Sequence, residues 1–270
     1  MRITVVIPAL NEEGNIGRLV DETFAVMPDH DLAAVIVVDD ASTDGTPAEL
    51  ASLARRHAKF RYLRHDARSG QSCAVRTGVW AASSPIIATM DGDGQNDPAD
   101  IMSLVAKLGP RPGEGAALVG GVRVKRKAEA SKRLASIAAN KIRGALFKDN
   151  CPDSGCGVKV FWRDAYIRLP FFSTLHRFMP AMFQTYGHRV DYAPVNDRPR
   201  VTGQSKYTNW GRALVGAYDL LGVVWLMRRT KTPRIVADSG VARATASGIQ
   251  TAPASRSPVA HVNGYNAAGE

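Results

Sequence analysis

Through residues 1–120, short apolar runs alternate with stretches in which apolar positions return every third or fourth residue. Residues 3–7 form one such run, closed by Pro8, and Ile16, Leu19, Val20, Thr23 and Met27 follow at helical spacing. An unbroken apolar run suits a strand buried in a sheet, whereas three-and-four spacing suits a helix with one buried stripe. The same alternation makes residues 35–38, 60–63, 85–90 and 117–122 strands and residues 73–82 a helix, with Asp97-Pro98 opening another. Thr46-Pro47-Ala48-Glu49 marks a helix start, because Thr46 can cap, Pro47 fits the first turn and Glu49 can reach back as in a capping box. This rhythm predicts an α/β fold with a mostly parallel central sheet and crossover helices.

Beyond residue 150 the pattern continues more sparsely. Residues 158–161 and 190–193 read as strands, 178–186 as a helix between them, and 210–229 as an apolar helix. Residues 230–270 turn to Ala, Ser, Thr, Pro and Gly with Tyr265 as the single aromatic, the composition of a disordered tail. The expected organisation is therefore a catalytic-sized unit over 1–209, a helix over 210–229 and a tail over 230–270.

Composition narrows the classes. With 270 residues, 45% of them apolar and 22% charged, the chain is neither a wholly disordered polymer, a collagen nor a disulfide miniprotein. The excess of 35 Lys+Arg over 25 Asp+Glu points to nucleic acid, an anionic membrane surface or a phosphorylated substrate. Much of the excess lies in 123–148, where Phe147 is the one aromatic, and a nucleic-acid module would interleave stacking aromatics with its cations. No nucleic-acid partner is expected. Cys73, Cys151 and Cys156 show no repeated pair spacing, and the N-terminus has no signal-peptide architecture, so free thiols in a reducing cytosol are expected.

Candidate chemistry collects at strand ends. Residues 85–90 deliver Asp91-Gly92-Asp93-Gly94-Gln95 at their carboxyl end, where an open α/β sheet places its ligand crevice. Two carboxylates separated by a glycine can turn toward one hard cation, and Mg2+ or Mn2+ takes one or two carboxylates and completes its shell with water and phosphate oxygens. A solvated turn is the plainer alternative for any one such motif. Here the strand before Asp39-Asp40 and the strand before Asn11-Glu12 also end in acids. Asp39 or Asp40 suits a hydrogen bond to a ribose or base, while Asp44 is as well explained by turn formation and capping.

Pro8-x-x-Asn11-Glu12, Val37-Val38-Asp39-Asp40-x-Ser42-x-Asp44-Gly45-Thr46, Asp91-Gly92-Asp93-Gly94-Gln95 and Arg198-Pro199-Arg200-x-x-Gly203-x-Ser205-Lys206-Tyr207 occur in that order. Together they resemble the family 2 glycosyltransferases of the polyprenyl-phosphate, dolichol-phosphate mannosyltransferase-like type, over residues 3–229. The resemblance implies a GT-A fold, the Rossmann-like architecture of nucleotide-diphospho-sugar transferases. It further implies a UDP- or GDP-sugar donor, a divalent metal (Mg2+ or Mn2+) and a polyprenyl phosphate acceptor, with undecaprenyl phosphate preferred. By position, Pro8, Asn11, Glu12, Asp39, Asp40 and Gly70 would surround the nucleotide, and Asp91, Asp93 and Gln95 the metal. Asp93, Arg123, Arg200 and Lys206 would form the catalytic set. Gln71 stands where many relatives carry lysine, and Val122 where many carry serine, which leaves the donor sugar and base open, and the sequence does not set the oligomeric state.

A phosphate monoester has its second pKa near 6 and is a ready nucleophile at neutral pH, so no general base is needed. Of the six histidines only His176, beside Arg177, falls at a helix start, and it reads as structural. A soluble family 2 enzyme acting on a sugar hydroxyl is the alternative, and it would need a carboxylate base near the acceptor. The apolar run over 213–227 is broken by Asp219, too short to span a bilayer that needs about 20 apolar residues. Leu214, Tyr218, Leu221 and Trp225 share one helical stripe, with Trp210 and Trp225 near the ends and Arg228-Arg229 beyond. A helix lying in the cytoplasmic face of the membrane is the expectation, against a helix packed on the sheet.

Overall fold

The computed structural model describes residues 1–111, 113–124, 144, 146, 147, 149–199 and 209–233, with side chains described from 218 onward in the last segment. Strand β1 (Ile3–Ala9) buries every residue except the half-buried Pro8. Its β-branched run is stiff at χ1 and packs well on a pleated surface. Strands β2 (Leu32–Asp39) and β4 (Ile86–Thr89) flank it in parallel, and β3 (Phe60–Arg64) pairs parallel outside β2. Strand β6 (Lys159–Trp162) runs antiparallel to both β4 and β5 (Ala116–Arg123), and β7 (Arg189–Val195) is parallel to β5. Among the described residues this makes one seven-stranded sheet in the order β3-β2-β1-β4-β6-β5-β7.

Helix α1 (Ile16–Val26) buries Ile16, Leu19, Val20 and Thr23, the stripe that the spacing predicts. Helix α2 (Thr46–Arg56) buries Leu50 and Leu53, and α3 (Gln71–Ala81) buries Ala74, Val75, Gly78 and Val79. A Cβ on Gly78 would collide with Val6, so α3 lies hard against β1. Glycine inside a helix costs about 1 kcal/mol against alanine, less than the roughly 1.5–3 kcal/mol from burying either neighbouring valine, so packing keeps this segment helical. Three further helices, α4 (Asp100–Val105), α5 (Arg163–Ile167) and α6 (Leu175–Thr185), complete the layers before α7 (Asn209–Arg229). The chain steps from β1 outward to β2 and β3, then returns to the other side of β1 as β4. At that reversal the carboxyl ends of β1 and β4 part and open a crevice.

Two local readings change. No capping box forms at α2: Gly45 is the cap residue without a side-chain bond, and Thr46 Oγ1 accepts from the backbone N–H of Glu12 at 2.8 Å. The Glu49 carboxylate accepts from the N–H groups of Gly14 and Gly17 at 2.6 and 3.1 Å. Thr46 thus serves the loop after β1, and Glu49 serves that loop and the first turn of α1. Helix α6 also begins earlier than the 178–186 spacing predicts and holds Pro180 inside it.

Helix α7 packs one face on the core, as the expectation of a helix on the sheet has it, and exposes the other. Leu220, Val223, Val224, Leu226 and Met227 pack on the core, while Tyr218, Leu221 and Trp225 are 80%, 68% and 64% exposed. Among the described residues no helix is long and apolar enough to cross a membrane. The basic stretch over 125–143, Arg200, Lys206 and the tail over 234–270 lie outside the described residues.

Candidate active site

The loops after β1 and β2 interlock. Asn11 adopts φ 53°, a left-handed conformation that asparagine tolerates, and this lets its Oδ1 accept from the N–H of Thr43 at 2.8 Å while its own N–H reaches Ser42 Oγ at 2.8 Å. The Glu12 carboxylate receives the Asn15 amide at 3.2 Å. Asp44 accepts from Thr46 at 3.0 Å and from Glu13 at 3.2 Å, the turn-and-cap role open to it in the sequence.

Asp39 and Asp40 differ despite being adjacent. Asp40 accepts from the His65 ring at 2.8 Å and from the backbone N–H groups of Ser69 at 2.8 Å and Gly70 at 2.7 Å. Burial opposes its charge, but these donors outweigh burial and hold the carboxyl below its usual range. Asp40 thereby shapes the loop into α3, with Gly70 at φ 93° where a side chain would be strained. Asp39 is fully buried; Oδ1 accepts from Ser42 at 2.8 Å, and Arg64 approaches Oδ2 at 3.4 Å without completing a hydrogen bond.

Asp91 stands just past the end of β4. Its N–H donates to Asn96 Oδ1 at 2.8 Å, and its Oδ1 receives the Gln71 amide at 2.7 Å. Gly157 lies so close that a Cβ there would collide with the carboxylate, and a Cβ on Gly92 would come within 2.9 Å of the Pro8 carbonyl. Burial, and then repulsion from Asp93, push the Asp91 carboxyl up to about 6 against the pull of Lys159, Arg123 and Gln71. Asp93 Oδ1 accepts from the N–H of Gln95 at 3.2 Å, and the Gln95 amide nitrogen donates to the Arg198 carbonyl at 3.3 Å.

A carboxylate whose proton affinity is raised by burial and by a second carboxylate beside it suits a hard cation. Among the described residues no group of three or more His, Cys, Asp or Glu side chains gathers for a metal. The donor chemistry of a carboxylate pair is nonetheless of the kind that suits Mg2+ or Mn2+, which leaves its other positions to water and phosphate oxygens.

Beside Asp91 lies a cavity of about 390 Å3, walled by Pro8, Gln71, Asp91, Arg123, residues 153–157, Lys159, His176 and Arg177 among others. It gathers Pro8, Asp91 and Arg123 from the sequence candidates, while Asn11, Glu12, Asp39, Asp40, Gly70, Asp93 and Gln95 stand outside its wall. Arg123 ends β5 and is held by Asp153 through Nε at 2.7 Å and a terminal nitrogen at 2.9 Å. That pairing raises the guanidinium's proton affinity still further. Ser72 Oγ accepts the backbone N–H of His176 at 3.1 Å and shares a hydrogen bond with its ring Nδ1 at 2.7 Å. Burial, with Lys159 and Arg177 nearby, pushes His176 down to about 3, so it stays neutral. His176 thus ties α3 to α6, as its structural reading predicts, and also walls the cavity. Cys73, Cys151 and Cys156 are all thiols, and burial pushes Cys156 up to about 11.

Gln71, Asp153 and Lys159 did not emerge from the sequence as site residues. Lys159 carried a signal: it is the single charge in Val158-Lys159-Val160-Phe161-Trp162, a run otherwise fit for burial. Asp153 carried none, since only the fold brings it to Arg123.

The sequence signature described as "Glycosyl transferase family 2" matches residues 4–169. A dodecaprenyl-phosphate galacturonate synthase from Rhizobium johnstonii is 31% identical over 237 residues, covering 86% of this chain and 69% of the relative. An undecaprenyl-phosphate 4-deoxy-4-formamido-L-arabinose transferase from Salmonella paratyphi A is 30% identical over 226 residues, covering 82% and 66%. The chain thus spans about two thirds of the length of these relatives. Among solved structures, glucosyl-3-phosphoglycerate synthase from Mycobacterium tuberculosis with Mg2+ and UDP aligns with a TM-score of 0.64 at 20% identity, covering 89% of this chain and 82% of that one. A mannosyltransferase from Pyrobaculum calidifontis with GDP-Man and Mn2+ also reaches 0.64, at 23% identity, covering 86% and 66%. With its parallel half-sheet, its acidic strand ends and these relatives, the chain belongs to the family 2 glycosyltransferases and has the GT-A fold.

Proposed function

We propose that the protein moves a sugar from a nucleotide-diphosphate donor to a polyprenyl phosphate at a membrane surface, with inversion at the anomeric carbon. The observation that carries this reading is Asp91, half-buried beside Asp93 at the rim of a cavity lined by cations, with its carboxyl pushed up to about 6. The names of the relatives, both polyprenyl-phosphate sugar transferases, support the acceptor class. Asp91, Asp93 and Gln95 Oε1 would hold Mg2+ or Mn2+, which when bound supplies Lewis-acid compensation for the charge of the leaving diphosphate. Asp39, whose Oδ2 lacks a hydrogen-bond partner among the described residues, is better suited than the fully engaged Asp40 to meet a ribose or base.

The acceptor phosphate brings its own nucleophilic oxygen, so the protein must orient it and offset its charge. The two carboxylates of the cavity wall support this over transfer to a sugar hydroxyl: Asp153 grips Arg123, and Asp91 belongs to the metal pair, so neither is disposed as a general base. Arg123 is then a pre-set wall beside the acceptor. Arg200 and Lys206 would join it from outside the described residues. The exposed Tyr218, Leu221 and Trp225, followed by Arg228 and Arg229, support an α7 that faces the cytoplasmic side of an anionic bilayer with one stripe while its other face grips the core.

The test is a panel of radiolabelled UDP- and GDP-sugars incubated with undecaprenyl phosphate and either Mg2+ or EDTA. Label should pass into the organic phase with metal only. Transfer to a water-soluble sugar instead would sink the lipid reading. Tyr218→Ser with Trp225→Ser should weaken sedimentation with anionic liposomes, and unchanged sedimentation would remove α7 from the membrane contact.

A further inference from the structure

Lys159 is an ammonium in the wrong kind of place. It sits within β6, opposite Thr89 of β4 and Gly120 of β5, with only 6% of its surface exposed. A buried ammonium is costly unless its protons are received, and it has three to place. Among the described residues its one hydrogen bond goes to the carbonyl of Cys156. The carboxylates around it are turned elsewhere: Asp153 holds Arg123 at 2.7 and 2.9 Å, and Asp91 receives Gln71 at 2.7 Å. Among the described residues no ion pair joins Lys159 to either acid, although all three wall the same cavity.

The surrounding backbone keeps the ammonium there. Thr89 Oγ1 donates to the Gly157 carbonyl at 2.9 Å, the Gly121 N–H reaches the Val158 carbonyl at 2.9 Å, and Gly157 presses on Asp91. The loop over 153–157 is therefore stitched to β4 and β5, and Lys159 rises from β6 beneath it. Arg123, assigned to phosphate by resemblance, has two of its nitrogens already committed to Asp153. Lys159 has donors in hand and opens on the cavity.

We propose that Lys159 receives an oxyanion of the bound substrates at the cavity floor: the phosphate of the lipid acceptor or a carboxylate on the donor sugar. This rests on the glycosyl-transfer reading. It divides the labour between the two cations: Arg123 with Asp153 is a rigid, nearly neutral wall, and Lys159 is the anchor.

Lys159→Met keeps the length of the side chain and removes its charge. Steady-state transfer by the full chain, varying acceptor and donor in turn, should show a KM raised about ten- to a hundredfold for the substrate that carries the oxyanion, the worth of a charge-assisted contact. A rise for the acceptor assigns the phosphate. A rise for uronate donors and not for neutral-sugar donors assigns the carboxylate. The thermal midpoint should hold or rise, because an incompletely partnered buried charge has gone. A second measurement needs no variant: carbamoylation of Lys159 in the wild-type protein by cyanate, read by peptide mass spectrometry, should fall when that same substrate is bound. Unchanged KM values, a uniform rise across all donors that would place Lys159 on the shared diphosphate, or labelling indifferent to both substrates would each overturn the proposal. Wild-type transfer to polyprenyl phosphate is the control: its absence sinks the glycosyl-transfer reading itself, whereas normal transfer with unaltered Lys159→Met kinetics sinks only the anchor.

Discussion

The two sides of the crevice use their polar and charged residues in opposite ways. On the β1–β2 side, Asn11, Asp40, Asp44 and Glu49 are engaged by backbone N–H groups of neighbouring loops, and Asp40 is held below its usual proton affinity. On the β4–β6 side, Asp91 is pushed up to about 6, His176 down to about 3, and Lys159 keeps a single protein hydrogen bond among the described residues. Apart from Asp39, whose Oδ2 lacks a hydrogen-bond partner among the described residues, acids on the first side build a shape. Groups on the second are left incompletely satisfied by the protein, which is where binding and chemistry have something to complete. Position at a strand end is shared by both sides and does not separate them; the nearest backbone does.

The contrast is broken most directly by removing acids. Asp93→Ala or Asp91→Asn should lower transfer more than about a hundredfold, since metal coordination contributes several kcal/mol to the transition state. Circular dichroism should show both variants folded, and near wild-type turnover of Asp93→Ala in EDTA would refute the metal site. Next in size, Gly157→Ala should cut transfer about tenfold or more, because its methyl must displace the Asp91 carboxylate, with overpacking costing about 1–3 kcal/mol in denaturant melts. Full activity would mean that Asp91 can move freely.

Asp40→Asn tests the other side. It should destabilise by about 1–3 kcal/mol through the loop at 65–70, with a smaller effect on transfer than either change at Asp91 or Asp93. A larger effect would make Asp40 part of the nucleotide site after all. For His176 the sign follows from a folded-state pKa lying below the ordinary 6.5: the folded protein binds fewer protons, so its stability falls as pH drops from about 6.5 toward about 3. His176→Asn should flatten that acid-side decline in thermal melts; an identical pH profile would show that the ring titrates normally. Smallest, Glu49→Ala should cost about 1 kcal/mol with transfer kept, since its carboxylate only ties Gly14 and Gly17 to α2.

Sequence pattern alone was enough for the alternation of strands and helices, for the acids at three strand ends and, through ordered motifs, for the family. These are local properties: a strand's apolar run and a helix's stripe are written in consecutive residues, and a motif needs no neighbour to be read. The antiparallel insertion of β6 between β4 and β5 was not legible, because strand order depends on which edges meet after collapse. Nor was the use of Thr46 and Glu49 by another loop, for the competition between helix and loop amides is settled only when both are present. The α7 stripe could be read, yet which face grips the core was decided by Val223 and its neighbours meeting the rest of the fold. Asp40 and Asp91 look alike as acids at strand ends. Three donors converge on one and a second carboxylate crowds the other, and that difference exists only in three dimensions, because burial and partner geometry, not residue type, set what a charge is able to do.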